Sequence, residues 1–190
     1  MLDKSVPYVE FYMKRPEGLV LPPVSARTDG FFVRLYRPGD EMHWARIETS
    51  VGEFDTEEQA LAYFSREFAP YPELLMQRMC FVCTPEGLPV ATCTAWEKHG
   101  GNLVHWVATV PAYQRRGLAR LAVTHALQLF PAGDILLHTQ TWSHAAVRLY
   151  HALGFCLVRD EDTEKALAVL KTVYEPTLFD EIVSLIQECR

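Results

Sequence analysis

The sequence has no apolar run that approaches the roughly 18 residues of a membrane-spanning helix, and its first residues lack the basic-then-apolar order of a secretion signal. Its charge balance is acidic, with 18 Lys and Arg against 24 Asp and Glu, which argues against a nucleic-acid backbone as the main partner. Repeats and low-complexity tracts are also missing. We therefore expect a cytoplasmic protein that acts on neither membranes nor nucleic acids.

Cysteine is sparse and odd in number. The five cysteines are Cys80, Cys83, Cys93, Cys156 and Cys189, a thin set that suggests reduced thiols. Cys80 and Cys83 have CxxC spacing, but they fall in a strand-like run, where residues three apart point to opposite faces. Neither a second CxxC nor clustered His and carboxylate residues follow at ligand spacing. We expect no metal, and packing of these cysteines as small apolar side chains.

What the sequence does have is the composition of a globular domain. Of its 190 residues, 49% are hydrophobic and 22% are charged, a balance typical of a chain that buries a core. Strand and helix patterns predict one α/β domain with a mixed central sheet, an antiparallel meander followed by β-α-β-α-β. The predicted strands cover residues 6–13, 31–37, 79–84, 88–96, 103–110, 135–141 and 155–160.

Helix signals lie on both sides of the meander. Asp40 is the expected cap of a first helix, and Asp55-Thr-Glu-Glu58 has the pattern of a capping box for a second. Residues 117–130 and 143–154 then carry apolar side chains at helical spacing. Ser143 is the expected cap of the later helix.

The tail predicts two helices broken near Pro176, although residues 166–174 also fit a last strand. We expect residues 1–30 to form an N-terminal strand and loop extension, residues 31–160 the main domain, and residues 161–190 a helical tail packed on it.

A segment before the helix at residues 117–130 joins two arginines to a glycine. The first turn of a helix has N–H groups without backbone partners, the helix dipole adds positive charge there, and Gly117 leaves room for close approach. Arg115, Arg116 and Arg120 add full charges. The segment therefore predicts a phosphate or pyrophosphate site, with a solvated basic surface as the alternative. It is neither a Walker loop nor a GxGxxG loop, because only one glycine is present.

A second segment, Ser143 to Phe155, follows a buried strand and places Tyr150 on the inner side of a helix. Together the two segments resemble the GNAT superfamily of acetyl-CoA-dependent N-acetyltransferases. The first matches the family's Gln/Arg-x-x-Gly-x-Gly/Ala motif at Gln114, Gly117 and Ala119. The second follows Asn-x-x-Ala-x-x-Leu-Tyr-x-x-x-Gly-Phe at Ala146, Leu149, Tyr150, Gly154 and Phe155, with Ser143 in place of the usual Asn. The resemblance is sharp over residues 103–155 and implies a GNAT-like fold, with helices on both faces of the sheet.

The resemblance also implies a co-substrate site for acetyl-CoA. Backbone groups of the strand before the loop would pair with the pantetheine arm, and one N–H would polarise the thioester carbonyl. The loop amides would hold the pyrophosphate, while the shorter side chain of Ser143 puts its hydrogen bond to the arm in question. The implied contacts are Val107, Ala108, Thr109, Arg115, Arg116, Gly117, Leu118, Ala119, Arg120 and Ser143.

The same resemblance implies direct attack of an amine on the thioester, with Tyr150 as general acid to the leaving thiolate; a purely structural Tyr150 is the alternative. Some relatives carry a carboxylate base on the preceding strand, and the corresponding residue here is His138. The ordinary pKa of an imidazole suits proton removal near neutral pH. His105, Glu97 or a water relay are alternative bases.

The acceptor amine is not specified by the motifs. In the family, the early helices, roughly residues 40–71, and the tail build the acceptor side. There Glu48, Glu53 and Asp55 fit an amine or simply a solvated helix face. Trp96, Trp106 and Trp142 would line an acceptor pocket or pack in the core.

We expect an N-acetyltransferase. Members of the family often dimerise, so the resemblance also suggests a homodimer. A non-catalytic acyl-CoA-binding module and a transferase with another acyl donor are the alternatives.

Overall fold

A computed structural model of the chain describes residues 2–20, 23, 29–98 and 100–186. Cys189, the end of the tail at residues 187–190 and most of the loop around residues 21–28 lie outside the described residues. The chain divides into two compact units. The first comprises Pro22–Glu97 and Val104–Phe130, and the second comprises Leu2–Leu21, Lys98–Leu103 and Pro131–Arg190.

The described residues form seven strands and seven α-helices, as the α/β prediction requires. The strands are β1 (Glu10–Arg15), β2 (Phe32–Leu35), β3 (Met79–Cys83), β4 (Pro89–Lys98), β5 (Gly101–Thr109), β6 (Ile135–Gln140) and β7 (Cys156–Leu157). The helices are α1 (Glu41–Val51), α2 (Glu57–Glu67), α3 (Pro72–Arg78), α4 (Leu118–Leu127), α5 (His144–His151), α6 (Thr163–Val173) and α7 (Pro176–Ile186). None of these helices is long and apolar enough to span a bilayer.

The strand order along the sheet is β2-β3-β4-β5-β6-β1-β7. In the first unit, β2 pairs antiparallel with β3. The antiparallel pairing of β3 with β4 confirms the start of the predicted meander. In the second unit, β1 lies between β6 and β7 and runs antiparallel to both, with Met13 opposite Leu137 and Leu157. The N-terminal strand is therefore an inner strand of the sheet.

The first unit buries helices against both faces of its strands. Phe81 and Cys83 belong to a core that also contains Trp44 of α1 and Phe64 of α2. Cys80 points the other way, with its sulfur 3.6 Å from a carbonyl oxygen of α4. The opposite orientation of the two CxxC cysteines is thus confirmed, and both are buried free thiols. Among the residues that the structure describes, no group of three metal-ligating side chains occurs.

A buried arginine holds the second unit together. Arg15 is 5% exposed, and its guanidinium donates to the carbonyl oxygens of Leu153 at 2.9 Å and Leu19 at 2.6 Å. Leu153 follows α5, so this contact fixes the end of that helix to β1. Gly154, with φ +88°, ends the helical turn there, as predicted from its position.

Asp40 and Ser143 occupy the predicted cap positions without a side-chain cap bond, and the third predicted cap is shifted by one residue. Asp40 precedes α1, but its carboxylate binds the Arg34 guanidinium at 2.5 and 2.8 Å and caps no helix N–H. Ser143 precedes α5 without a side-chain cap. The capping box begins one residue later than predicted, because Thr56 accepts from the N–H of Gln59 at 3.3 Å.

Other boundaries also differ from the prediction. The first strand begins at Glu10 rather than Val6, since Pro7 cannot donate to the sheet. Helix α3 was not predicted; it is short and begins at a proline. The two tail helices are confirmed as α6 and α7, with the second beginning at Pro176, and the alternative strand at residues 166–174 is wrong.

Candidate active site

The loop between β5 and α4 has the geometry of an anion site. A 3-10 turn over Pro111–Tyr113 leads out of β5, and Gln114 anchors the loop by donating to the Thr109 carbonyl at 3.0 Å. Arg115 has φ +64° and Gly117 has φ +81°, so two left-handed residues reverse the chain within three positions. Such alternation turns successive N–H groups toward one concavity.

The start of α4 adds unpaired amides to this loop. The first helical bond of α4 runs from the N–H of Leu121 to the carbonyl of Gly117. The amides of Leu118, Ala119 and Arg120 therefore have no acceptor within the helix. A Cβ built on Gly117 would meet no atom within 4 Å, so the space over this backbone is open.

The charge around the loop is positive. Arg115 and Arg116 are exposed and Arg120 is half-buried; the Arg116 guanidinium carbon lies 5.5 Å from the centre of the Tyr113 ring. In the described part of the chain none of the three arginines has a carboxylate within 4.0 Å, and the first turn of α4 contains no acid. Amides, dipole and guanidinium groups together suit a pyrophosphate.

The end of β5 that leads into this loop is irregular. Trp106 has φ +49°, a left-handed conformation that is unusual for an aromatic residue. Val107, Ala108 and Thr109 follow it directly; Ala108 and Thr109 are buried, and the Thr109 hydroxyl has no hydrogen-bond partner among the described residues. Sequence reasoning missed this distortion, because no glycine marks it.

In the second unit, α5 positions the predicted tyrosine. Tyr150 is 6% exposed and, with Val147, forms the buried side of the helix. Its ring packs edge-on to Phe155 at 6.0 Å. The Tyr150 carbonyl accepts from the N–H groups of Leu153 and Phe155, so the turn that ends α5 also fixes this residue. Ser143 stands at the other end of α5, half-buried and with its hydroxyl uncommitted to capping.

His138 alternates with buried neighbours on β6, as predicted, and its side chain is 39% exposed. Its Nε2 lies 3.4 Å from a carboxylate oxygen of Glu10, and its ring lies 4.8 Å from that of Tyr12. The alternative bases belong to the first unit: Glu97 is exposed near the end of β4, and the ring of His105 lies 5.5 Å from that of Trp106.

The three tryptophans considered for an acceptor pocket have different surroundings. Trp142 donates to the Val6 carbonyl at 2.9 Å and packs edge-on to Tyr8. Its indole ring is therefore packed against the N-terminal segment. Trp96 is 8% exposed and packs on Phe68. Trp106 is half-buried and joins the aromatic residues of the predicted acceptor helices.

Those aromatic residues form what we call the Trp44 cluster. Trp44 is fully buried, and five ring centroids lie 5.3–6.1 Å from its own. They belong to Phe54, Tyr63, Phe64, Phe68 and Trp106. The indole nitrogen of Trp106 donates to the Tyr63 hydroxyl at 3.3 Å, while that of Trp44 has no partner among the described residues.

A carboxyl group of α1 is also buried. Glu48, one turn after Trp44, is 1% exposed, and its Oε1 has no hydrogen-bond partner in the described part of the chain. Burial, with a contribution from the Glu53 carboxylate, raises the pKa of Glu48 well above its usual value. Glu48 is therefore not part of a solvated helix face, whereas Glu53 and Asp55 are exposed. The spacing of Trp44, Ile47, Glu48 and Val51 was the available signal, because it puts all four on one face.

Comparisons with known proteins agree with this architecture. A solved GCN5-related N-acetyltransferase from Sphaerobacter thermophilus superposes with a TM-score of 0.63 and 22% identity, over 80% of this chain and 49% of that one. A GNAT-family acetyltransferase from Colwellia psychrerythraea gives a TM-score of 0.57 and 10% identity, over 82% and 55% of the two chains. At these identities the likeness concerns the fold.

In sequence, the chain is 26% identical over 155 residues to an uncharacterized protein of Mycobacterium leprae (strain TN), a match that covers 79% of this chain and 40% of that protein. The chain thus spans half or less of the first relatives it matches. Residues 40–155, more than half of the 190 residues, match the acetyltransferase (GNAT) family. The chain therefore belongs to the GNAT family of acetyltransferases, which implies acyl transfer from an acyl-CoA.

Proposed function

We propose that the protein is an N-acetyltransferase that moves the acetyl group of acetyl-CoA to a primary amine. The observation that carries the proposal is the loop at residues 114–120, in which two left-handed residues, three arginines and the open amides of α4 converge. This geometry suits a diphosphate, and the family of the chain uses a donor that contains one. The amine acceptor follows from the family and from the acidic, aromatic-rich helices α1 and α2.

The donor site is proposed from the residues of the first unit. The amides of Arg115–Arg120 would hold the pyrophosphate, and the arginine side chains would neutralise it. The backbone of Val107, Ala108 and Thr109 would pair with the pantetheine arm, with one N–H directed at the carbonyl oxygen. When bound, acetyl-CoA supplies a thioester whose carbonyl carbon the amine attacks.

Two proton-transfer roles are proposed for residues of the second unit. Tyr150 would donate its phenolic proton to the leaving sulfur, since the ordinary pKa values of a phenol and a thiol are close. His138 would take a proton from the amine; Glu10, 3.4 Å from its Nε2, would stabilise the imidazolium. Ser143 would bind the pantetheine arm or the thiol through its hydroxyl.

The test is a thiol-release assay with acetyl-CoA and a panel of primary amines, on the wild type and on Tyr150→Phe. We expect turnover with at least one amine, and a loss of about 10²- to 10⁴-fold in Tyr150→Phe with unchanged acetyl-CoA binding. Binding of acetyl-CoA without turnover of any amine would favour a non-catalytic acyl-CoA module. Faster turnover with succinyl- or a longer acyl-CoA would identify another donor, and wild-type rates in Tyr150→Phe would remove the general-acid role.

A further inference from the structure

The residues that precede β1 hold the turn that leads from β6 into α5. Thr141, the first residue of that turn, is 0% exposed. Its hydroxyl donates to the Pro7 carbonyl at 2.5 Å and accepts from the N–H of Val9 at 3.0 Å. The backbone N–H of Thr141 donates to the Val9 carbonyl at 3.0 Å. Three hydrogen bonds thus join Thr141 to residues that lie 132 and 134 positions away in the sequence.

The rest of the turn is bound by the same segment. The indole nitrogen of Trp142 donates to the Val6 carbonyl at 2.9 Å, and the Trp142 carbonyl accepts from the N–H of Asp3 at 2.9 Å. The Nε2 atom of His144, the first residue of α5, lies 3.1 Å from a carboxylate oxygen of Asp3. The segment therefore binds the turn at both of its ends, and we call residues 3–9 the N-terminal clasp.

The clasp is not held in place by burial of apolar surface. All of its residues are described, and none of them is buried; Lys4, Ser5, Pro7 and Tyr8 are exposed. Its position depends instead on the hydrogen bonds to the turn and on the packing of the Tyr8 ring against Trp142. A segment of this kind contributes little to a core, so its effect is on the turn that it binds.

That turn lacks the usual internal support of a helix start. Ser143 has φ −95° and ψ 26°, outside the extended conformation of a capping residue, and its side chain makes no cap bond. Helix α5 has only eight residues, a length at which a helix has little stability of its own. The position of its first turn therefore depends on contacts with other segments. The clasp supplies such contacts and leaves the Ser143 hydroxyl available to a ligand.

We infer that the N-terminal clasp positions Ser143 and the first turn of α5 for binding of the acyl donor, with Thr141 as the main positioning residue. Thr141 contacts no substrate in this role; it acts through Ser143. The inference rests on the proposed function in one step, the contact of the Ser143 hydroxyl with the pantetheine arm. It makes the donor site dependent on residues 3–9, which lie outside the part of the chain that matches the family, residues 40–155.

Hydrogen exchange of the intact chain, followed by NMR without ligand, tests the clasp itself. Thr141→Val keeps the shape of the side chain and removes its hydroxyl. We expect the hydrogen-bonded amides of α5 to exchange about tenfold faster in this variant, because the loss of two hydrogen bonds makes local opening easier. Thr141→Ser keeps the hydroxyl and should restore the slow exchange. Unchanged exchange in Thr141→Val would overturn the clasp.

Thr163→Val is the matched control. Thr163 is also 0% exposed, and its hydroxyl also bonds a carbonyl, that of Val158 at 3.0 Å, and a backbone N–H, that of Asp160 at 2.8 Å. These bonds lie at the start of α6 in the same unit. The control should leave the exchange of the α5 amides unchanged. Equal acceleration of these amides in Thr163→Val would show a general loss of stability and would also overturn the clasp.

Calorimetric titration with coenzyme A tests whether Thr141 acts through Ser143. Ser143→Ala and Thr141→Val should each weaken binding by about three- to tenfold, as for the loss of one neutral hydrogen bond. The double variant should bind as Ser143→Ala does, whereas independent effects would multiply, and Thr163→Val should bind as the wild type does. Unchanged affinity in Thr141→Val, or losses that multiply in the double variant, would overturn the positioning role. No binding of coenzyme A to the wild type would instead contradict the proposed function, and the exchange experiment would still decide whether the clasp holds the turn.

Discussion

Replacing Glu48 with Gln should change how the stability of the protein depends on pH. The unfolded carboxyl titrates near pH 4.3, whereas burial raises the pKa of the folded group well above that. At a pH below both values, the two states are equally protonated and Glu48 adds no pH dependence. As the pH rises between the two values, the unfolded state loses its proton while the folded state keeps it. The wild type therefore loses about 1.4 kcal/mol per pH unit over that window, and the loss ends at the folded pKa.

Gln cannot ionise, so Glu48→Gln escapes this loss. With about 2–4 °C per kcal/mol for a chain of this size, the melting temperature of the variant should gain roughly 3–6 °C on the wild type per pH unit above about pH 4.3. The gain should level off at the folded pKa of Glu48, which the experiment thereby measures. The assay is thermal melting of both proteins from pH 4 to pH 8. Titrating groups that do not interact with Glu48 cancel in the difference, and Glu57→Gln, exposed on α2, is the control. A difference that stays constant from pH 5 to pH 8 would refute the buried, protonated Glu48.

Two further substitutions test the contact between β1 and the end of α5, and the loop at residues 114–120. Arg15→Ala removes the charged group that donates hydrogen bonds to the carbonyl oxygens of Leu153 and Leu19. The free energy of unfolding, measured in urea, should fall by about 2–4 kcal/mol. A loss below about 0.5 kcal/mol would contradict the anchoring role of Arg15. Arg116→Ala should weaken acetyl-CoA binding about tenfold, as expected for the loss of one charge-assisted hydrogen bond. Arg66→Ala, at an exposed position outside the loop, should bind acetyl-CoA as the wild type does. Equal affinities of the two variants would show that Arg116 does not belong to the donor site.

The parts of the fold that the sequence predicts are those with local signals. The helix α4 and the loop before it follow from apolar spacing and a single glycine, and the strand β6 from its apolar run. The position of β1 between β6 and β7 is different, because pairing between residues 10–15 and 135–140 is a long-range choice that no local pattern carries. Short helices such as α3 are equally hard to predict, since seven residues give too few periods.

The candidate site divides in the same way. The loop at residues 114–120 could be predicted as an anion site because Arg115, Arg116 and Gly117 are consecutive in the sequence. The Trp44 cluster brings together rings from α1, α2 and β5, which no local pattern predicts. The burial of Glu48 was indicated only by its helical spacing from Trp44. Asp40 and Ser143 stand before α1 and α5 as predicted, but neither side chain bonds a helix N–H. The Asp40 carboxylate is bound by the Arg34 guanidinium, and Ser143 is the last residue of a 3-10 turn rather than an extended residue.

The most direct measurement of the central claim is thermal melting with saturating acetyl-CoA, with adenosine as the control ligand. Acetyl-CoA at about 100 times its dissociation constant should add about 2.7 kcal/mol, or roughly 5–10 °C. Gly117→Glu, which places a carboxylate in the anion loop, should abolish the shift. Gly87→Glu should retain it, since Gly87 has a similar φ of +92° and equally open surroundings, outside the loop. No shift of the wild type at millimolar acetyl-CoA, or equal shifts in both glycine variants, would contradict the assignment of residues 114–120 as the donor site.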